Sequence, residues 1–307
     1  MMQSSRLNEI KPPEYSFDPT TVIDEDSRIT QFKELILKHE ISNLMALKLR
    51  KLEAFDIVII ADDSGSMQTK STSNLTVSDP FAKTKTRWDE LKETVAIVTE
   101  IAALLDEDGV DIFFLNRPPV RNITGPSAAL DAAFQPKPTG YTPITSTLQA
   151  VLHEKWHGIA HGDRKKLLIL IATDGQPTTS TGQIDKEGLK RVLVHERGNV
   201  PGEIPVCFLV CTDDDYEIEY LNEWDNVILD LDVVDDYFTE RRQIIEVQGS
   251  QFPFSRGDWV CKMLLGAIDP EIDALDETPI NSAARRKSTQ QSKQKSHSNS
   301  QNGCEIS

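Results

Sequence analysis

The 307-residue chain is long enough for one sizeable domain with tails, and its net charge of −16 argues against nucleic acid as a partner, because acidic surfaces repel phosphates. It has no run of about 18 apolar residues and no apolar secretory signal at its amino terminus, so neither a transmembrane helix nor export is expected. The four cysteines form no disulfide framework, which predicts a cytoplasmic protein with reduced thiols.

The amino-terminal part of the chain divides into a polar segment and an amphipathic segment. Residues 1–28 are polar and contain prolines, and they are predicted to be disordered. Residues 29–54 carry apolar residues at helical spacing, which predicts one amphipathic helix. Its apolar stripe is suited either to packing on the following domain or to binding a partner, and the sequence leaves both interpretations open.

Residues 55–272 are predicted to form the main domain, in which strands alternate with helices. Strands are expected at residues 55–62, 110–115, 120–123, 166–173, 204–212 and 227–231. Helices are expected from Thr86, after Pro143, and at residues 128–134, 185–197, 213–223, 236–247 and 258–268. Apolar runs are typical of strands that are buried on both faces. The pattern therefore predicts an α/β fold with a doubly wound, mainly parallel sheet and helices on both faces.

Three short polar strings are associated with this sheet. Asp-Asp-Ser-Gly-Ser at residues 62–66 follows a strand, Gly-Tyr-Thr-Pro at residues 140–143 precedes a helix, and Thr-Asp-Gly at residues 173–175 follows another strand. Ligands bind at the carboxyl ends of the strands in open α/β sheets. Two carboxylates and three hydroxyls suit a hard divalent cation, Mg²⁺ before Mn²⁺ or Ca²⁺. The alternative is that these residues only cap helices.

The three strings, in this order, resemble the metal-ion-dependent adhesion site of the von Willebrand factor type A (vWA) domain, over roughly residues 50–270. The resemblance implies a Rossmann-like fold and a cation bound by three hydroxyls and, directly or through water, by two carboxylates: Ser64, Ser66, Thr142, Asp62 and Asp174. It also implies that an acidic residue of a protein partner takes an open position on the cation. The expected protein is a binding module and not an enzyme.

A different chemistry is suggested by one further motif. His153, Glu154 and His157 match the His-Glu-x-x-His pattern of zinc peptidases, in which two histidines bind Zn²⁺ and the glutamate is a general base. Gly158 is expected to end the helix before His161, and the motif lies at the opposite end of its helix from the predicted metal site. A polar, exposed helix end is the simpler interpretation.

Two weaker alternatives come from acidic residues. Asp62 could be the nucleophile of an aspartyl-phosphate enzyme, but Ser64 stands where the phosphatases have a second acid. The acidic run at residues 213–223 could bind Ca²⁺, although nothing in its spacing specifies a calcium site. Both are therefore ranked below the cation site at the edge of the sheet.

Residues 273–307 form a Ser-, Gln- and Lys-rich segment that is predicted to be disordered. After residue 280 there are five basic residues and one acid, a charge of +4, so the residues before it carry −20. Cys304 and the three residues after it match a prenylation motif, which with the basic residues would favour an anionic membrane surface. Ser288 follows a basic triplet and is expected to be a phosphorylation site that weakens this attraction.

Overall fold

The computed structural model describes residues 19–71, 84–106, 108–157, 165–198, 200–212 and 214–280. These residues form a six-stranded sheet in the order β3-β2-β1-β4-β5-β6. Its strands are β1 (Phe55–Ala61), β2 (Val110–Phe114), β3 (Val120–Ile123), β4 (Lys166–Thr173), β5 (Val206–Val210) and β6 (Leu231–Val234). Neighbouring strands pair in parallel except β2 and β3, which are antiparallel. The predicted α/β fold with a mainly parallel sheet is confirmed.

Helices cover both faces of the sheet. They are α1 (Pro19–Lys38), α2 (Asn43–Lys48), α3 (Arg87–Leu105), α4 (Ala128–Phe134), α5 (Ile144–Leu152), α6 (Lys186–Arg191), α7 (Asp215–Asp225), α8 (Tyr237–Gln248), α9 (Arg256–Leu265) and α10 (Pro270–Asp273). Side chains of α5, α6 and α7 belong to one hydrophobic cluster, and side chains of the other helices belong to a second. Successive residues of β1 alternate between the two clusters, since Ile57 and Ile59 lie in one and Val58 and Ile60 in the other. This burial on both faces explains the continuous apolar run.

The amphipathic segment 29–54 is not the single helix that its spacing predicts. The chain turns between α1 and α2, where Glu40 has a φ of 53°, and then enters a 3₁₀ helix at Leu49–Ala54. Ser42 caps α2, and its backbone N–H donates to Asp258 Oδ1 at 2.7 Å, so a tertiary contact fixes the break. Met45 and Leu49 are buried in the core, which assigns this part of the stripe to packing on the domain.

The two ends of the described chain also differ from the sequence expectations. Helix α1 begins at Pro19, within the segment 1–28 that was predicted to be disordered, and residues 1–18 lie outside the described residues. At the other end, Leu275 is fully buried and its carbonyl accepts a hydrogen bond from Gln248 Nε2 at 2.6 Å. The domain therefore continues beyond residue 272. Cys304 and Ser288 lie outside the described residues and stay predictions.

Several element boundaries in the second half of the domain are shifted. Strand β6 spans Leu231–Val234 and not residues 227–231, because residues 227–230 form a turn in which Asp230 has a φ of 51°. Helix α7 starts at Asp215, and residue 213 is not described. Helix α9 begins two residues before the predicted residue 258, because Ser255 and Asp258 form a capping box at its amino end.

Candidate metal centre

The predicted site lies where the direction of the sheet connections reverses. Strand β1 is central, with β2 on one side and β4 on the other. The loops that follow β1 and β4 therefore diverge at their carboxyl ends and leave a crevice, which is the usual ligand position in open α/β sheets. Asp62 follows β1 directly and Asp174 follows β4 directly. The backbone N–H of Asp62 donates to Ala172 O at 2.9 Å, which fixes the two loops against each other.

Hydrogen bonds join the hydroxyls of the first loop to the carboxylate of the second. Ser66 Oγ donates to Asp174 Oδ1 at 2.7 Å, and Ser64 Oγ lies 3.0 Å from Ser66 Oγ. Because the Ser66 hydroxyl proton is directed to Asp174, the Ser66 oxygen is available to accept the proton of Ser64 in the second bond. Three of the five predicted ligands are thus linked in one chain of polar atoms, although Ser66 and Asp174 are 108 residues apart.

The carboxyl group of Asp62 is fully buried and has neutral hydrogen-bond donors. Its Oδ1 accepts from the Ser64 backbone N–H at 2.8 Å, and its Oδ2 accepts from Thr173 Oγ1 at 2.7 Å. Burial, and secondarily the charge of Asp174, raise the pKa of Asp62 to about 7, against the opposing effect of the Ser64 and Thr173 hydrogen bonds. A bound cation would favour the ionised form of Asp62, because its positive charge would oppose both the burial and the charge of Asp174.

Thr142, the remaining predicted ligand, lies in the adjoining loop. Its backbone N–H donates to Thr178 Oγ1 at 3.0 Å, and its carbonyl accepts from the Thr178 N–H at 2.9 Å. The same loop contacts the loop after β1, since Gly65 N–H donates to Gly140 O at 3.2 Å. All three sequence strings therefore meet at one edge of the sheet, with Thr142 beside the hydrogen-bonded chain and not part of it.

Arg87 was missed at the sequence level. Its Nη1 donates to Asp174 Oδ2 at 2.8 Å and its Nη2 donates to Thr212 Oγ1 at 2.8 Å. Both oxygens of Asp174 thus have partners, a hydroxyl on one and a guanidinium on the other. Arg87 is the first residue of α3, directly after the Thr86 cap, and that position at the sheet edge is the signal that could have indicated it.

A second arginine neutralises the acidic residue next to Asp62. Asp63 is fully buried, and its Oδ2 accepts from Arg117 Nε at 2.6 Å. Its Oδ1 accepts from the backbone N–H of Asn116 at 2.8 Å, which ties the loop after β2 to the loop after β1. These partners direct Asp63 toward the β2 side, away from the Ser64 and Ser66 hydroxyls. Asp63 therefore supports the loops and is not part of the candidate ligand set.

The residues at this edge fit a hard divalent cation. The candidate ligand atoms are hydroxyl and carboxylate oxygens, and the buried Asp62 carboxyl, whose pKa is raised, interacts with the charge of a second acid, Asp174. Within the described ranges, no group of three or more His, Cys, Asp or Glu residues is placed to hold a metal ion. The candidate site has two carboxylates only, so its capacity to bind a cation depends on the hydroxyls.

The zinc-peptidase motif lies elsewhere. His153–His157 forms a wide π-type turn after α5, at the end of that helix remote from Thr142. Both histidines are exposed, and Glu154 accepts from Arg121 Nη2 at 2.8 Å. His161 lies outside the described residues. The glutamate that would act as general base is therefore engaged in an ion pair.

The fold and the site define a class of protein, an α/β domain with a polar loop cluster at the switch point of a mainly parallel sheet. The chain matches no known family model, and no curated protein is significantly similar to it in sequence. In the part of the chain that the structure describes, no helix combines the length and the apolar character needed to cross a bilayer.

Proposed function

We propose that this chain is a vWA domain that binds a divalent cation, Mg²⁺ before Mn²⁺ or Ca²⁺, and through that cation an acidic residue of a protein partner. The cation ligands would be the three hydroxyls and two carboxylates at the edge of the sheet: Ser64, Ser66, Thr142, Asp62 and Asp174. The domain would act as a binding module and not as an enzyme.

One observation carries this proposal. Ser64, Ser66 and Asp174 form a single hydrogen-bonded chain at the switch point of the sheet, with the buried Asp62 bonded to the backbone of Ser64. Helix capping, the simpler interpretation of these residues, does not account for it. The Ser64 side chain makes no cap hydrogen bond to the short helix that follows it. Asp174 precedes a loop and not a helix, so it has no helix end to cap.

The chemistry of the donors explains why the site would favour an acidic partner. Hydroxyl oxygens are neutral ligands, so a divalent cation that they bind keeps much of its positive charge for an incoming carboxylate. Asp62 is held in place by Ser64 and Thr173, and Asp174 by Ser66 and Arg87, so the acids are oriented before any ligand arrives. Such preorganisation lowers the entropic cost of binding.

Apolar side chains at the rim of the site would contact the partner around its acidic residue. Tyr141, next to Thr142, is 54% exposed, and Ile184 in the loop after β4 is 67% exposed. Tyr216, in the first turn of α7, is 74% exposed. Exposed aromatic side chains are enriched in protein interfaces, because they bury a large area at a small cost in side-chain entropy.

The proposal is tested by titrating Mg²⁺ into chelator-treated protein by calorimetry. We expect Ser64→Ala to weaken binding by about tenfold or more, or ~1.4 kcal/mol, because it removes a direct ligand. Ser146→Ala is the matched control, because Ser146 is an exposed hydroxyl on the first turn of α5 that donates to Pro143 O at 3.1 Å. Equal Mg²⁺ affinity in the wild type and Ser64→Ala would exclude the assigned ligand set.

A further inference from the structure

We infer that Arg87 is an internal counter-ion of Asp174 that competes with the divalent cation and sets the charge of the loaded site. The competition rests on the proposed cation binding, whereas the pairing of Arg87 with Asp174 does not. Arg87 would be a positioning residue and not a ligand. Its effect would be to make cation binding weaker and to leave the loaded site with a positive charge.

The guanidinium of Arg87 is hydrogen-bonded directly to Asp174, one of the predicted cation ligands. Arg87 Nη1 lies 2.8 Å from Asp174 Oδ2, and the side chain of Asp174 is fully buried while that of Arg87 is 15% exposed. A charge-assisted hydrogen bond of this length in a poorly solvated place is among the stronger polar contacts in proteins. A cation that approaches Asp174 would therefore meet a carboxylate whose second oxygen is already bound to a positive group.

Arg87 is held in this position by contacts from three segments. Its backbone N–H donates to Thr69 O at 3.0 Å, in the segment that follows the Ser64 loop. The capping box of Thr86 and Asp89 fixes the start of α3 at the preceding residue. Its Nη2 donates to Thr212 Oγ1, beyond β5. A guanidinium fixed in this way loses little side-chain entropy in pairing with Asp174, unlike a mobile surface arginine.

Formal charges indicate what Arg87 changes. With Asp62 and Asp174 ionised and Arg87 positive, the three side chains sum to −1, so a divalent cation brings the group to +1. Without Arg87, the formal charges of the two carboxylates and the divalent cation would sum to zero. The guanidinium thus weakens cation binding by repulsion at short range, and it preserves the positive charge that would attract a partner's carboxylate.

The first test measures Mn²⁺ affinity by calorimetry in metal-free wild type and in Arg87→Met, Arg87→Lys and Arg256→Met. We expect Arg87→Met to bind Mn²⁺ at least about tenfold more tightly, because a nearby positive charge is removed. Arg87→Lys keeps the charge and should stay close to the wild type. Arg256 lines the same small cavity as Arg87 but pairs with Glu93, at 3.8 Å. Arg256→Met is therefore the control for removing a nearby positive charge that is not paired with Asp174.

The second test needs no metal. It compares urea unfolding of Arg87→Met, Asp174→Asn and the double variant in the presence of chelator. Arg87→Met alone leaves Asp174 buried without its counter-ion, so we expect the double variant to have a higher urea midpoint than Arg87→Met. If Arg87→Met does not fold, Arg87→Gln, which also removes the positive charge, takes its place in the same comparison.

The outcomes separate this inference from the proposed function. If the wild type binds Mn²⁺ and folded Arg87→Met binds it equally or more weakly, competition by Arg87 is excluded and the proposed function stands. If neither protein binds Mn²⁺, the competition by Arg87 and the proposed cation binding are both excluded. Binding by Arg87→Met alone would support competition. If the losses of stability of Arg87→Met and Asp174→Asn add up to the loss of the double variant, Arg87 and Asp174 are not coupled. That result would overturn the inference.

Discussion

The three acidic side chains at the carboxyl ends of β1 and β4 differ in what balances their charge. Asp62 has hydrogen bonds from neutral donors, Asp63 has the guanidinium of Arg117, and Asp174 has a hydroxyl and the guanidinium of Arg87. The sequence predicted that the loops with Asp62 and Asp174 lie at the same edge of the sheet, because each loop follows an apolar strand; that these residues bind a cation stays a prediction. It did not predict the arginine pairs, because 54 and 87 residues separate their members and only the tertiary fold brings them together.

The variant Gly140→Ala tests whether the loop that carries Thr142 requires glycine at this position. Gly140 has a φ of 100°, and a Cβ added there would lie 2.5 Å from Asn116 Oδ1. We expect Gly140→Ala to lower the free energy of unfolding by about 1–3 kcal/mol, because the backbone would be strained, and to weaken Mg²⁺ binding.

Gly65→Ala is the matched control for that substitution. Gly65 lies in the neighbouring loop and donates its N–H to Gly140 O, but a Cβ added there meets no atom within 4 Å. We expect its unfolding midpoint in urea to stay near that of the wild type. A Gly140→Ala protein that is as stable as Gly65→Ala would show that the loop tolerates a side chain and does not depend on glycine.

At the scale of elements, local pattern predicted some boundaries and tertiary contacts set others. Strands β3 and β4 and helix α4 have the bounds expected from their sequence, because each is delimited by turn residues or polar residues. The break between α1 and α2 was not predicted, because Ser42 is held by Asp258, 216 residues away. Strand β6 was misplaced because it contains a buried acid, Asp232, which interrupts the apolar pattern.

That buried acid belongs to a cluster that anchors α9. Lys262 is 1% exposed, and its Nζ lies 2.9 Å from Glu240 Oε1 and 3.7 Å from Asp276 Oδ1. Burial raises the pKa of Glu240 to about 7, against the opposing charge of Lys262. Burial also raises the pKa of Asp232, again against Lys262. The ammonium is shared among several acids, so each acid has only part of its charge balanced.

Removing this lysine should therefore be costly. We expect Lys262→Met to lower the free energy of unfolding by about 3–5 kcal/mol at pH 7.5, because buried acids lose their counter-ion. Adding Glu240→Gln should recover part of the loss. The measurement is urea unfolding of the two single variants and the double variant. A double variant that is less stable than Lys262→Met would contradict a charge-balancing role for Lys262.

At the scale of the whole molecule, the fold explains why distant strings meet. Strand β1 is central, and two hydrophobic clusters fix helices on both faces of the sheet, so the loops after β1 and β4 are carried by a rigid support. Apolar runs and their order along the chain were sufficient to predict this architecture and the edge at which the strings meet. They could not predict the hydrogen-bond partners within the loops, because those depend on side-chain geometry and not on periodicity.

The most direct test of the central proposal is an anomalous diffraction map of crystals grown with Mn²⁺. We predict one strong peak at the carboxyl ends of β1 and β4, within direct bonding distance of Ser64 Oγ and Ser66 Oγ, with Asp62 and Asp174 bound directly or through water. A peak at His153 and His157, or no peak at the edge of the sheet at saturating Mn²⁺, would contradict the assignment of this edge as a divalent-cation site.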